Sequence, residues 1–105
     1  MKMIRAIIRP EKESTVTTAL AEAGFPALTK WEVVGRGKQQ GIQLGDHVYD
    51  GLSKCLLMLV VPDDRADEAI RTIEKSAFSG NPGDGKIFVT SVEKAYTIRS
   101  GKAEL

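Results

Sequence analysis

The sequence predicts an α+β sandwich. Two βαβ halves build one four-stranded antiparallel sheet, and both helices lie on the same face. Three observations lead there. Apolar residues alternate with period two across Met1–Pro10 and again across Ala27–Val34. Two stretches, one ending at Ala23 and one running from Ala66 to Ala77, carry apolar residues at helical spacing. An unbroken apolar run, Cys55–Val61, has the length of a strand and the composition of a core.

In the first strand Ile4, Ala6 and Ile8 share one face; Met3, Arg5, Ile7 and Arg9 share the other. One mixed face makes it half-buried, with Arg5 and Arg9 read as solvated or interface residues. From Glu11 to Ala23, Val16, Ala19, Leu20 and Ala23 form a helical stripe, and Gly24 follows as a C-terminal stop. Phe25-Pro26 breaks the helix. Ala27–Val34 is the second strand, with Leu28, Lys30, Glu32 and Val34 opposite Ala27, Thr29, Trp31 and Val33. Trp31 reads as core or subunit-interface packing rather than a stacking platform.

Gly35–Ser53 differs. Five glycines punctuate a polar segment without a stable period, which predicts a long loop between strands, longer than a hairpin needs. Loops of that length are usually functional or mobile. Arg36, Lys38, Gln39 and Gln40 give this one anion-binding capacity, and Leu44, His47, Val48 and Tyr49 give its tip a surface for a partner.

The third strand, Lys54–Val61, reads as central and buried on both faces. Pro62-Asp63-Asp64 ends it and supplies a cap for the second helix, whose inner face is Ala66, Ala69, Ile70, Ile73 and Ala77. A glycine loop follows, then strand Ile87–Val92 and a short strand around Ala95–Arg99. The order is that of a ferredoxin-like βαββαβ sandwich with a short extra C-terminal strand. The helices cover one sheet face. Met3, Ile7 and other apolar residues occupy the opposite face, and oligomerisation would cover them.

At 105 residues the chain is one domain. Lys plus Arg total 15 and Asp plus Glu 14, a balance that does not indicate non-specific nucleic-acid binding. No secretory leader is expected, no run is long enough to span a bilayer, and the expected location is cytoplasmic. Cys55 is the single cysteine, so there is no internal disulfide or CxxC metal site. Its apolar surroundings make it a small hydrophobe rather than a nucleophile.

The stretch with the most chemistry is Asn81-Pro82-Gly83-Asp84-Gly85-Lys86-Ile87-Phe88-Val89. Gly83 and Gly85 can align backbone N–H groups into a nest for an anion, and Lys86 adds a point charge. Phosphate would be the natural guest. A tight turn before a strand, with Lys86 solvated, is the plainer reading, and these residues alone favour it. The segment is not a P-loop, because G-x-x-x-x-G-K-[ST] is absent and a strand follows instead of a helix.

Several segments settle the matter together. KMIRAIIRPEK at the start, WEVVGRGKQQG, LVVPDD, GDGKIFV and the Ile98-Arg99-Ser100-Gly101 ending occur in this order. Across nearly the whole chain they resemble the PII nitrogen-regulatory signalling family. The resemblance implies a trimeric sensor rather than an enzyme. It implies ATP or ADP in clefts between subunits, and 2-oxoglutarate beside the ATP with Mg²⁺. It also implies one PII-like domain over 1–105, with a target-contacting T-loop at about 36–53 and a phosphate-binding B-loop at about 79–86. Gly83, Asp84, Gly85 and Lys86 match the B-loop. Gly35, Gly37, Lys38 and Gln39 match the T-loop base that holds phosphates. Ile7 matches an apolar residue of the cleft. Leu28, Thr29 and Val60 match positions around the adenine from the neighbouring subunit, and Arg99 a phosphate-contacting arginine. Gln39, Gly41 and Lys54 match the 2-oxoglutarate positions, and Gln39 lies where Mg²⁺ is shared by ATP and 2-oxoglutarate.

The chain departs from the family pattern in places. Lys38 stands where arginine is usual, keeping charge but losing the planar fork. Thr97 replaces a second phosphate-binding arginine, and Gln40 a usual lysine. The T-loop is shorter than in common members. Tyr49 lacks the sequence context of uridylylation, which makes a packing or partner-contact role the expectation. A short, glycine-rich loop argues against plugging an ammonium channel. This combination resembles the nitrogenase-linked NifI-type branch, in its form with the compact T-loop. That branch works as a pair of paralogues that inhibits nitrogenase until ATP and 2-oxoglutarate relieve the inhibition. A regulator of an ammonium transporter or a nitrogen-assimilation enzyme is the alternative. A phosphatase-like enzyme is a third reading, and against it His47 has no evident orienting partner.

Overall fold

The computed structural model describes residues 1–36, 42–44, 47–49 and 51–105. Its elements are β1 (Lys2–Ile8), α1 (Glu13–Glu22), β2 (Thr29–Gly35), β3 (Ile42–Leu44), β4 (His47–Tyr49), β5 (Leu52–Val61), α2 (Ala66–Ala77) and β6 (Gly85–Ser91). Four strands form one sheet in the order β2-β5-β1-β6, every pair antiparallel. β3 and β4 form a separate two-stranded hairpin. The ferredoxin-like α+β fold is therefore present.

The period-two reading of the first strand holds residue by residue, whereas β2 buries neither of its faces in the protomer. Ile4, Ala6 and Ile8 of β1 are buried, as are Cys55, Leu57, Leu59 and Val61 of β5. Val16 and Leu20 of α1 close on this face together with Ala66, Ala69, Ile73 and Ala77 of α2. Both helices thus cover the same side of the sheet. Cys55 is 3% exposed, and burial pushes its thiol pKa up, in keeping with a small core hydrophobe.

The other side of the sheet is open in the protomer. Pairing sets Trp31 beside Leu56, Leu56 beside Ile7, and Arg5 beside Phe88. Directly paired residues of an antiparallel sheet project to one face, so these side chains form one surface. Trp31 is 44% exposed and Phe88 49%. The expectation that β5 is buried on both faces is therefore corrected for the single chain: Leu56, Met58 and Val60 are only half-buried. β5 is nonetheless central, between β2 and β1.

α1 ends as Gly24 foretold. Gly24 takes φ 93°, its N–H bonds to the carbonyl of Ala21, and the N–H of Phe25 bonds to that of Leu20. This is a Schellman ending, with the apolar pair Leu20 and Phe25 buried together in the core. Arg65 completes it. Its Nη2 donates to the Ala23 carbonyl at 2.9 Å, and its guanidinium lies 4.2 Å from the Phe25 ring centre.

Three local expectations change. Asp63 and Asp64 do not cap α2; a short 3₁₀ turn, Asp63–Arg65, intervenes, without a side-chain cap. Asp63 instead pairs with the N-terminal ammonium at 3.0 Å, and hydrogen bonding to that group holds its carboxyl below the usual range. Part of the long Gly35–Ser53 segment is ordered as the β3–β4 hairpin, and β5 begins at Leu52. The short C-terminal strand reduces to one bridge, Tyr96 to Ala103, around a turn at Gly101.

Candidate functional site

The glycine loop runs from the end of α2 to the start of β6, and its shape is held by contacts from far along the chain. Asp84 is the hub. One carboxylate oxygen accepts from the backbone N–H of Ser79 at 2.8 Å and of Gly80 at 2.9 Å. The other accepts from Arg9 Nε at 3.1 Å and from the Ser79 hydroxyl. The Ser79 hydroxyl, then the two amides and Arg9, hold the Asp84 carboxyl well below the usual carboxylate range, against an opposing effect of desolvation.

Two cations grip the loop backbone. Arg9 Nη2 donates to the Pro82 carbonyl at 2.8 Å, and Lys54 Nζ donates to the Gly83 carbonyl at 2.6 Å. Gly83 has φ 101° and Gly85 φ 114°, both in the left-handed half of backbone space. Gly85 also sits against β1, where a Cβ would lie 1.7 Å from the Ile7 carbonyl oxygen. No side chain fits there. The glycines that suggested an anion nest are thus required by conformation at Gly83 and by close approach at Gly85.

Lys86 is exposed and pairs directly with Ile7, so both project from the open sheet face. Gly35, the last residue of β2, lies against the same place: a Cβ on it would be 3.6 Å from Lys54 Cγ. A cavity of about 460 Å³ opens on the other side of the loop, lined by Ile73, Phe78, Asp84, Gly85 and Lys86 among others. Among the described residues no group of three His, Cys, Asp or Glu side chains could hold a metal ion.

Of the residues singled out in the sequence, Ile7, Gly35, Lys54, Gly83, Asp84, Gly85 and Lys86 gather at one end of the sheet. Gly37, Lys38, Gln39 and Gly41 lie outside the described residues. Leu28, Thr29 and Val60 stand apart in this chain. Counted from Cys55, opposite Ile8 at the loop end, the Thr29 row lies three residues along β5 and Val60 five, roughly 10 and 17 Å at strand rise. Arg99 belongs to the segment that leaves β6 at Ser91, opposite Lys2, away from Gly85. One chain does not bring these four to the loop.

The sequence reading missed Arg9 and Ser79. The strand pattern reads Arg9 as solvated or interfacial. A usable signal was its parity with Ile7, which puts it on the same side of β1 as Ile7, beside the loop.

The nitrogen regulatory protein P-II family pattern matches residues 1–102. The chain is 54% identical over 105 residues to the nitrogen fixation nifHD2 region GlnB-like protein 1 of Methanosarcina barkeri, covering 100% of both chains. It is 56% identical over 100 residues to the nitrogen fixation nifHD region glnB-like protein 1 of Methanococcus maripaludis, covering 95% of each. It is 45% identical over 107 residues to the nitrogen regulatory protein P-II 2 of Methanothermobacter thermautotrophicus, covering 98% of this chain and 93% of the relative.

Proposed function

The chain belongs to the nitrogen regulatory protein P-II family, and we propose that it is a nitrogen-status signal transducer that inhibits nitrogenase. On this reading ATP or ADP binds between subunits of a trimer, 2-oxoglutarate binds beside ATP, and the T-loop carries the result to the target. The whole chain acts as one domain, with the T-loop at about 36–53 and the B-loop at about 79–86, and it works in the cytoplasm. No helix among the described residues is long and apolar enough to cross a membrane.

The observation that carries the ligand reading is the glycine loop gripped by Arg9 and Lys54, with Lys86 on the open face beside it. Fixed N–H groups and a nearby ammonium suit a phosphate chain. Gly83, Asp84, Gly85 and Lys86 form that cradle, with Gly35, Gly37, Lys38 and Gln39 at the T-loop base and Ile7 in the cleft wall. Leu28, Thr29, Val60 and Arg99 come from the neighbouring subunit. The open sheet face, with Trp31 and Phe88 partly exposed, is the surface a trimer would cover. Lys54, Gln39 and Gly41 take 2-oxoglutarate, and Gln39 meets the Mg²⁺ that ATP and 2-oxoglutarate share.

The nitrogenase link is supported by relatives named for nitrogen fixation nifHD regions. The paralogue pairing, as a hetero-oligomer, is the reading that the compact T-loop favours. The test is ATP calorimetry on wild type and Lys86→Ala. One charge-assisted phosphate contact contributes ~1.5–3 kcal/mol, so a ten- to hundredfold loss is expected. Unchanged affinity would remove Lys86 from the site.

A further inference from the structure

Arg9 follows β1, yet both of its contacts described above reach residues more than seventy positions later: Asp84 and the Pro82 carbonyl. Its side chain is 25% exposed and that of Asp84 24%, so the pair is largely shielded from water. In a trans peptide the C=O and the following N–H point in opposite directions. A guanidinium that holds the Pro82 carbonyl therefore turns the Gly83 N–H away from itself. Lys54 does the same one peptide later: with the Gly83 carbonyl held, the Asp84 N–H faces the Asn81 carbonyl at 3.3 Å. The Asp84 carboxylate meanwhile folds the start of the loop inward through Ser79 and Gly80.

We propose that Arg9 is a positioning residue for the phosphate site: it holds Pro82 and Asp84 so that the glycine loop keeps its anion-receiving shape. Asp84, on this inference, shapes the loop and does not contact the phosphate. Arg9 and Asp84 then form one unit, and deleting either removes the same support. The phosphate part rests on the nucleotide reading given above; the loop-holding part does not.

The experiment takes wild type, Arg9→Ala, Asp84→Ala, the double variant and Arg9→Lys, with ATP and adenosine titrations and amide exchange at Ser79 and Gly80. Each single Ala variant should weaken ATP about tenfold. The double variant should be no worse than the weaker single, because paired residues are not additive. Adenosine affinity should not change. Arg9→Lys should recover part of the loss, since one ammonium cannot span Asp84 and Pro82 as a guanidinium does. Ser79 and Gly80 amides should exchange faster in Arg9→Ala. Unchanged ATP affinity in Arg9→Ala or Arg9→Lys would overturn the inference. A multiplicative loss in the double variant, roughly a hundredfold, would also overturn it, since the two would then act on the ligand separately. A wild type that ignores ATP would sink the nucleotide reading instead. Exchange would then decide: faster exchange keeps the loop clamp, and unchanged exchange removes it.

Discussion

The ammonium of Lys54, on the central strand β5, donates to the carbonyl of Gly83 in the glycine loop at 2.6 Å. The residue matched to 2-oxoglutarate is thus already bonded to the loop matched to phosphate. An ammonium has three donors, so Lys54 can keep Gly83 and still meet a carboxylate. On the proposed function, that would give the two ligands a shared physical part. Lys54→Met, which keeps the apolar stem, should therefore weaken 2-oxoglutarate by at least about tenfold and ATP by a smaller factor. Calorimetry with each ligand checks this. An ATP affinity untouched by Lys54→Met would show that the Gly83 contact does not support the phosphate loop.

Gly85→Ala should be among the most damaging single changes in the chain. Its Cβ would meet the Ile7 carbonyl oxygen at 1.7 Å, and its φ is 114°. The atoms it would meet are backbone of β1, which cannot swing aside as a side chain could, so a cost of roughly 3–5 kcal/mol is expected. Gly101→Ala is the control. It has φ 68° but nothing within 4 Å, which predicts only the left-handed backbone cost of about 1–2 kcal/mol. Urea unfolding of the two variants measures the difference.

Stability should fall in acid partly through Asp84. Its carboxyl titrates lower in the folded protein than in the unfolded chain, because Ser79, Gly80 and Arg9 bond to the ionised form. The contribution is complete above the unfolded value of about 3.9 and is lost as pH falls through that value toward the lower folded one. Unfolding curves between neutral pH and about pH 2 should slope less in Asp84→Asn than in wild type. Asp63, held low by the N-terminal ammonium, supplies part of the slope that remains.

Arg65→Ala should loosen the junction between the two helices. It removes the donor to the Ala23 carbonyl and the cation over Phe25, together worth about 1–2 kcal/mol at this half-exposed position. Arg65→Lys should recover only part, because an ammonium cannot both stack flat and reach the carbonyl. Thermal unfolding of the three proteins decides it.

The strands and helices were legible because their signals are local. Ile4, Ala6 and Ile8 share parity, and Gly24 follows a helical stripe; both statements need only neighbouring residues. The glycine loop was legible as a motif. Its supports were not: Arg9 and Asp84 are 75 positions apart, and Lys54 and Gly83 are 29 apart. Only the sheet register, β1 between β5 and β6, brings them together. Asp63 looked like a cap because its residue type fits one. The N-terminal ammonium, adjacent only in the folded chain, won it instead. The β3–β4 hairpin was missed because strands of three residues, set among glycines, are too short to carry a period.

On the proposed function, the 2-oxoglutarate site is completed by ATP. The direct measurement is calorimetric titration of 2-oxoglutarate into the protein with Mg²⁺, once with ATP and once with ADP. On that reading Lys54 and Gln39 alone would give few contacts to a small dianion, and the chelated metal would need the γ-phosphate. That function predicts binding with ATP and none with ADP. It also predicts that 2-oxoglutarate tightens ATP by the same factor that ATP tightens 2-oxoglutarate. Equal 2-oxoglutarate affinity with the two nucleotides, or no binding with either, would contradict it.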